Sequence, residues 1–142
     1  MGAVKQLIYV VDDNPDYRLL VSQVFKRFLI QYEAVFFESG TALFTYLQSE
    51  PQQVPCLFLV DGYMPEQTGI EIIRQLKQHP GWQKIPVVMI SSSDSIAEQE
   101  RAYASGAASY LIKSTNILSL KEQLSLVCQD SIALGCPPDG VL

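Results

Sequence analysis

The chain has 142 residues, of which 48% are hydrophobic and 18% charged, with a net charge of −5. That length suits one domain with an adequate core, and the acidic balance argues against nonspecific nucleic-acid binding, which needs a basic surface. No apolar N-terminal run is long enough to span a membrane or shaped like a signal peptide, and Cys56, Cys128 and Cys136, an odd set with no CxxC pair, read as reduced thiols of a cytoplasmic protein.

Apolar runs and helical patterns alternate five times along the chain. Residues 6–12 read as a strand, closed by Asp12 and Asp13. Asn14 suits a helix cap and Pro15 its first turn. Tyr17, Leu20, Val21, Val24, Phe25 and Phe28 then recur at helical spacing. Residues 32–38 form a second strand, ending before Ser39-Gly40. The second helix runs to about Ser49, with Leu43, Tyr46 and Leu47 inward. A breaker-rich stretch from Glu50 to Pro55 leads to a third strand, 56–61, which ends on Asp61.

Thr68 and Glu71 make a capping box for a third helix, whose stripe is Gly69, Ile72, Ile73 and Leu76. His79-Pro80-Gly81 ends it, with the imidazole placed for a favourable helix-dipole contact. The fourth strand spans Pro86 to Ser91. The fourth helix starts near Asp94 or Ser95, with Ser95 and Glu98 as a second capping box. Its stripe is poor, little more than Ile96, Ala97 and Ala104, which suggests a loosely held helix. Gly106 stops it. The fifth strand, Ser109 to Ile112, leads to Lys113. The fifth helix runs from about Asn116 to Gln129, with Ile117, Leu120, Leu124 and Val127 inward. Residues 131–142 hold Gly135, Pro137, Pro138 and Gly140 and read as an irregular tail. The whole, 1–142, is expected to be a single domain with its core at about 5–130.

Alternating strands and helices imply a parallel sheet covered on both faces. Continuously apolar strands fit that, because a parallel strand is buried on both sides. In such sheets ligands bind beyond the carboxyl ends of the strands. Asp12, Asp13, Asp61, Ser91 and Lys113 all fall at those ends. Neighbouring strands lie roughly 5 Å apart, so three acids would crowd one rim, repel one another and call for a cation. Any one of these residues alone would be an ordinary turn, cap or solvated side chain. Their coincidence carries the argument.

Val11-Asp12-Asp13, Asp61-Gly62-Tyr63-Met64-Pro65 with Gly69, Pro86 through Ser91, and Gly106-Ala107 followed by Tyr110-Leu111-Ile112-Lys113 stand in an order and spacing that resembles the CheY-like receiver domain of two-component response regulators. The resemblance covers about residues 5–130. It implies a flavodoxin-like doubly wound (βα)5 fold, with a five-stranded parallel sheet in order 2-1-3-4-5 and helices on both faces. It implies that Asp61 is the phosphoacceptor, and that Asp13 ligates Mg²⁺ directly with Asp12 acting mainly through water. Asp61 and the backbone carbonyl of Tyr63 complete the metal site, where Mn²⁺ or Ca²⁺ can substitute. Lys113 would pair with a phosphoryl oxygen, and Ser91 would hydrogen-bond the phosphoryl group. Tyr110 matches the family's aromatic switch position. It would swing inward as Ser91 draws in the loop before the fourth helix, altering the face formed by the fourth helix, fifth strand and fifth helix.

Two departures matter. Receivers usually follow the lysine with Pro in a cis bond, whereas Ser114 follows Lys113 here. A non-proline cis bond costs about 2.5–4 kcal/mol, so either that cost is borne or Lys113 is aimed differently. Tyr63 and Ser93 occupy the positions that tune phosphoryl lifetime. A bulky Tyr63 shields the acyl phosphate, and Ser93 offers no acid or amide to orient water, so slow to moderate autodephosphorylation is expected.

The resemblance thus implies a phosphorylation-activated switch, not an enzyme beyond autophosphorylation from small donors and autodephosphorylation. Its partners would be a sensor histidine kinase or histidine phosphotransfer domain and an unknown effector, with dimerisation as a second output and no direct contact with nucleic acid or membrane. Too few residues follow the fifth helix for a DNA-binding output domain, so either a stand-alone receiver or a receiver excised from a longer protein is expected. A competing reading, built on Ser114, is a receiver-like binding module that does not use phosphorylation. A metal-dependent phosphohydrolase needs an acid two residues after the nucleophile, and Tyr63 stands there instead.

Overall fold

The computed structural model describes residues 5–133, with side chains through Asp130. In chain order the elements are β1 (Gln6–Val11), α1 (Pro15–Phe28), β2 (Tyr32–Phe37), α2 (Gly40–Gln48), β3 (Leu57–Asp61), α3 (Gly69–Gln78), β4 (Val87–Ser91), α4 (Ile96–Ser105), β5 (Ser109–Ile112) and α5 (Ile117–Ala133). All strand pairs are parallel, in the order β2-β1-β3-β4-β5. The expected doubly wound architecture is therefore present.

Strand alternation splits the core into two layers. Tyr9, Val11, Phe58, Val60, Val87 and Met89 point to the face covered by α2, α3 and α4. Ile8, Val10, Leu57, Leu59, Val88 and Ile90 point to the face covered by α1 and α5, where Val21, Val24, Leu120 and Leu124 meet them. The chain leaves β1 toward β2 on one side and returns to β3 on the other, so a crevice opens between the carboxyl ends of β1 and β3.

Local chemistry sets the helix starts. Asn14 Oδ1 accepts from the Asp16 and Tyr17 N–H groups, and Pro15 stands at the first helical position. Thr68 and Glu71 close the full reciprocal capping box expected for α3. At Ser95 only half of the expected box forms. Ser95 Oγ accepts from Glu98 N–H at 3.3 Å, but the Glu98 carboxylate turns into the interior. The inward residues of α4 are Glu98 and Ala102; Ile96, Ala97 and Ala104 face solvent, which corrects the stripe expected from sequence. Gly106 ends α4 with φ at +115°, where a side chain would be strained.

Two further expectations are corrected. α5 continues to Ala133, so residues 131–133 belong to a helix and not to an irregular tail; residues 134–142 lie outside the described residues. Cys56, at the entry to β3, is disulfide-bonded, against the expectation of three reduced thiols. Cys128 is free and buried, and burial pushes its thiol up to about 12. No described helix is long and apolar enough to cross a membrane.

Candidate functional site

Register brings the chemistry to one edge. Val11 pairs with Val60 and Asp61 with Ile90, so Asp12 and Asp61 leave adjacent strands side by side. Ser91 follows Ile90, pairs with Ile112, and accepts from Lys113 N–H at 2.8 Å through its carbonyl. Oxygens of Asp12, Asp13 and Asp61 all lie within 4.8 Å of one another. Asp12 and Asp61 are buried, at 2% and 5% exposure, while Asp13 faces solvent.

Lys113 reaches into this group. Its ammonium stands 2.8 Å from Asp12 Oδ2 and 3.2 Å from Asp61 Oδ1. No described peptide bond is cis, so the Lys113–Ser114 bond is trans, yet the lysine still meets both acids. Three contacts hold it there: the backbone bond to Ser91, a bond from Gln123 Nε2 to the Ile112 carbonyl at 2.8 Å, and the Tyr17 ring 4.6 Å from Nζ. Burial works against the ammonium, but Asp12 and Asp61 outweigh it and hold its pKa above the ordinary value.

Asp12 is committed on both sides, since Oδ1 accepts from Asn14 N–H at 2.8 Å while Oδ2 meets Lys113. Arg18 Nη1 donates to its carbonyl at 2.7 Å. Asp61 is freer; its backbone donor among the described residues is Tyr63 N–H, at a long 3.4 Å. Burial, then the charge of Asp12, raise Asp61 to about 6, against the pull of Lys113 and Tyr63 N–H. Three carboxylates facing one ammonium leave net negative charge, and their donors are hard oxygens. That set fits a divalent cation of the Mg²⁺ class.

Beside the acids lies a polar network that the sequence reading missed in part. Ser91 Oγ donates to Glu98 Oε1 at 3.3 Å, and Tyr63 Oη donates to Glu98 Oε2 at 3.3 Å. Ser93 N–H donates to Ser91 Oγ at 3.2 Å. Tyr110 is half-buried, and its hydroxyl donates to the Ser93 carbonyl at 2.8 Å. Burial chiefly raises the Tyr110 pKa. A Cβ on Gly62 would stand 3.0 Å from Glu98 Oε1 and 3.1 Å from Ser91 Oγ, so a side chain there would press on this network. Glu98 escaped notice because an acid three residues after Ser95 already had an explanation as a cap. His79 caps α3, accepts from Gly81 N–H at 3.0 Å and stacks on Trp82, away from the acids.

Comparison with known proteins gives a consistent picture. Residues 8–125 match the family described as response regulator receiver domain. Response regulator Rcp1 of Synechocystis is 31% identical over 120 residues, covering 82% of this chain and 81% of that protein. A probable methanogenesis regulatory protein, FilR2 of Methanothrix harundinacea, is 30% identical over 118 residues, covering 81% and 76%. Among solved structures, the Mn²⁺-bound form of Rcp1 aligns with a TM-score of 0.76 at 28% identity, covering 93% of this chain and 96% of that one. The phosphorylated cyanobacterial phytochrome response regulator RcpA aligns with a TM-score of 0.80 over 91% and 95%; at 24% identity that likeness speaks for the fold.

Proposed function

The chain belongs to the response regulator receiver family, and from that premise we propose that it is a switch driven by phosphorylation of Asp61. The observation that carries this reading is the single ammonium of Lys113 set between Asp12 and Asp61, with Asp13 in the same cluster. The donor is the phosphohistidine of a sensor kinase or a histidine phosphotransfer domain. An Asp61 oxygen attacks phosphorus, the donor's P–N bond breaks, and the departing imidazole keeps the bonding pair and takes up a proton. The product is an acyl phosphate on Asp61.

Asp13, Asp61 and the Tyr63 carbonyl would hold Mg²⁺, with Asp12 acting through water because both its oxygens are engaged; Mn²⁺, present in the related Rcp1 structure, or Ca²⁺ can replace it. When bound, the ion supplies positive charge to the phosphoryl oxygens. Lys113 moves from the carboxylates to a phosphoryl oxygen, where its charge serves the in-line transfer. Ser91 donates to the phosphoryl group, Tyr110 follows the loop after β4, and the α4-β5-α5 face changes for an effector or a second copy. The chain catalyses nothing beyond its own phosphorylation from small donors and its own dephosphorylation. The receiver core, at about residues 5–130, acts as one unit of this kind in the cytoplasm, where a kinase's ATP is available.

The phosphorylation-independent alternative rested on Ser114. Contact of Lys113 with both acids, despite Ser114, favours the first reading. The test is incubation with a small acyl-phosphate or phosphoramidate donor and Mg²⁺, read by intact mass. One added phosphoryl group, absent in Asp61→Ala and absent without Mg²⁺, is expected. No gain by folded protein would support the alternative.

A further inference from the structure

A carboxylate in a protein interior is costly unless it is bonded, and Glu98 is 3% exposed. Its oxygens are bonded to two side chains that flank Asp61, Ser91 on β4 and Tyr63 after β3. A serine hydroxyl has one proton to give. Ser91 gives it to Glu98, and the Ser93 N–H occupies the same hydroxyl as donor, which fixes its direction. A phosphoryl group on Asp61 needs that same proton. It also brings further negative charge to a carboxylate already within contact of Gly62, the residue after Asp61.

We propose that Glu98 is a positioning residue that holds Ser91 and Tyr63 in the unphosphorylated arrangement, and that phosphorylation works by taking the Ser91 proton from it. The inference rests on the reading of Asp61 as phosphoacceptor. Once Ser91 turns to the phosphoryl group, Glu98 loses that donor and is repelled from the site. Glu98 is the third residue of α4, so its departure moves the start of that helix. The exchange is one hydrogen bond for another, with the balance set by charge.

Beryllofluoride with Mg²⁺ serves as the probe, since it occupies a phosphoryl position on an aspartate without chemistry. Its apparent affinity is measured by titration calorimetry for the wild-type chain, Glu98→Ala, Glu98→Gln, Ser91→Ala and the Ser91→Ala/Glu98→Ala pair. Removing a charge-assisted bond that must break on switching is expected to tighten binding about tenfold in Glu98→Ala. Glu98→Gln keeps the shape and an acceptor oxygen, so it gives about threefold and serves if the alanine variant does not fold. In the Ser91→Ala background the gain is expected to shrink at least threefold, which a merely structural role would not produce. Unchanged or weaker binding, or an equal gain with and without Ser91, overturns the proposal. If the wild-type chain itself binds no beryllofluoride, the phosphoacceptor reading fails and this one fails with it; binding by all variants alike overturns Glu98 alone.

Discussion

The Tyr17 ring faces the Lys113 ammonium, 4.6 Å from centroid to Nζ, while its own hydroxyl is buried with no hydrogen-bond partner among the described residues. Burial, then Asp12 and Asp61, push that hydroxyl's pKa well above its ordinary value. The ring is therefore useful and the hydroxyl costly. Tyr17→Phe is expected to raise Tm by about 2–6 °C, from roughly 1 kcal/mol of relieved desolvation, with phosphorylation preserved. Tyr17→Leu removes the cation–π contact, worth about 0.5–2 kcal/mol, and is expected to slow phosphorylation by small donors several-fold. Thermal melts and intact-mass time courses check both. A Phe variant as slow as the Leu variant would show that the hydroxyl, not the ring, matters.

Ser114 can be tested by restoring the usual proline. Lys113 already meets Asp12 and Asp61, and Ser114 Oγ accepts from Asn116 N–H at 3.2 Å in the turn into α5. Ser114→Pro is expected to leave the phosphorylation rate within about twofold, while costing about 0.5–1 kcal/mol from the lost turn bond. Denaturant melts and mass spectrometry read the two effects. A tenfold faster reaction would mean that lysine aim limits the native chain.

Asp61 titrates at about 6 in the folded protein against an ordinary 3.8, because burial and Asp12 favour its proton. The folded chain thus binds a proton that the unfolded chain has released, so stability is lost as pH rises from about 4 to about 6. Asp61→Asn removes that penalty. In a chelator, its Tm advantage over wild type is expected to be near zero at pH 4 and to reach about 2–6 °C at pH 7, taking roughly 1–2 kcal/mol after solvent screening. Mg²⁺ is expected to close part of the gap by stabilising the wild type. An advantage that shrinks with rising pH contradicts the assignment.

Tyr63 is 58% exposed, yet its hydroxyl is tied to Glu98 across the mouth of the site. The bulk of the ring beside Asp61 shields that position from water, so the acyl phosphate is expected to survive for minutes or longer. Tyr63→Ala is expected to shorten that lifetime several-fold. The measurement is decay of the phosphorylated mass after donor removal, and a wild-type half-life of seconds would contradict it.

Much of this was legible from spacing. Apolar strands ending in Asp12, Asp61, Ser91 and then Lys113 place their side chains on one edge in any parallel sheet, so pattern alone located the acids. Capping at Thr68 was equally local. Glu98 was not legible, because the rule that explains its backbone says nothing of where its carboxylate turns. The buried face of α4 was hidden for the same reason: with so few apolar residues, it is marked by Ala102 and by Glu98 with its bonds to Ser91 and Tyr63. Tyr17 read as one member of the α1 stripe, and only the return of β5 brings Lys113 onto it. The Cys56 disulfide depends on a pairing that spacing does not encode.

Helix α4 buries only Glu98 and Ala102 of its own residues, so it brings little hydrocarbon to the layer it covers. Heat capacity follows the apolar area a transition uncovers. A shift that uncovers little apolar area carries a small heat-capacity change, so its enthalpy stays nearly constant with temperature. A van't Hoff plot of the output would then run close to a straight line, with a slope set by the polar contacts that Glu98 exchanges.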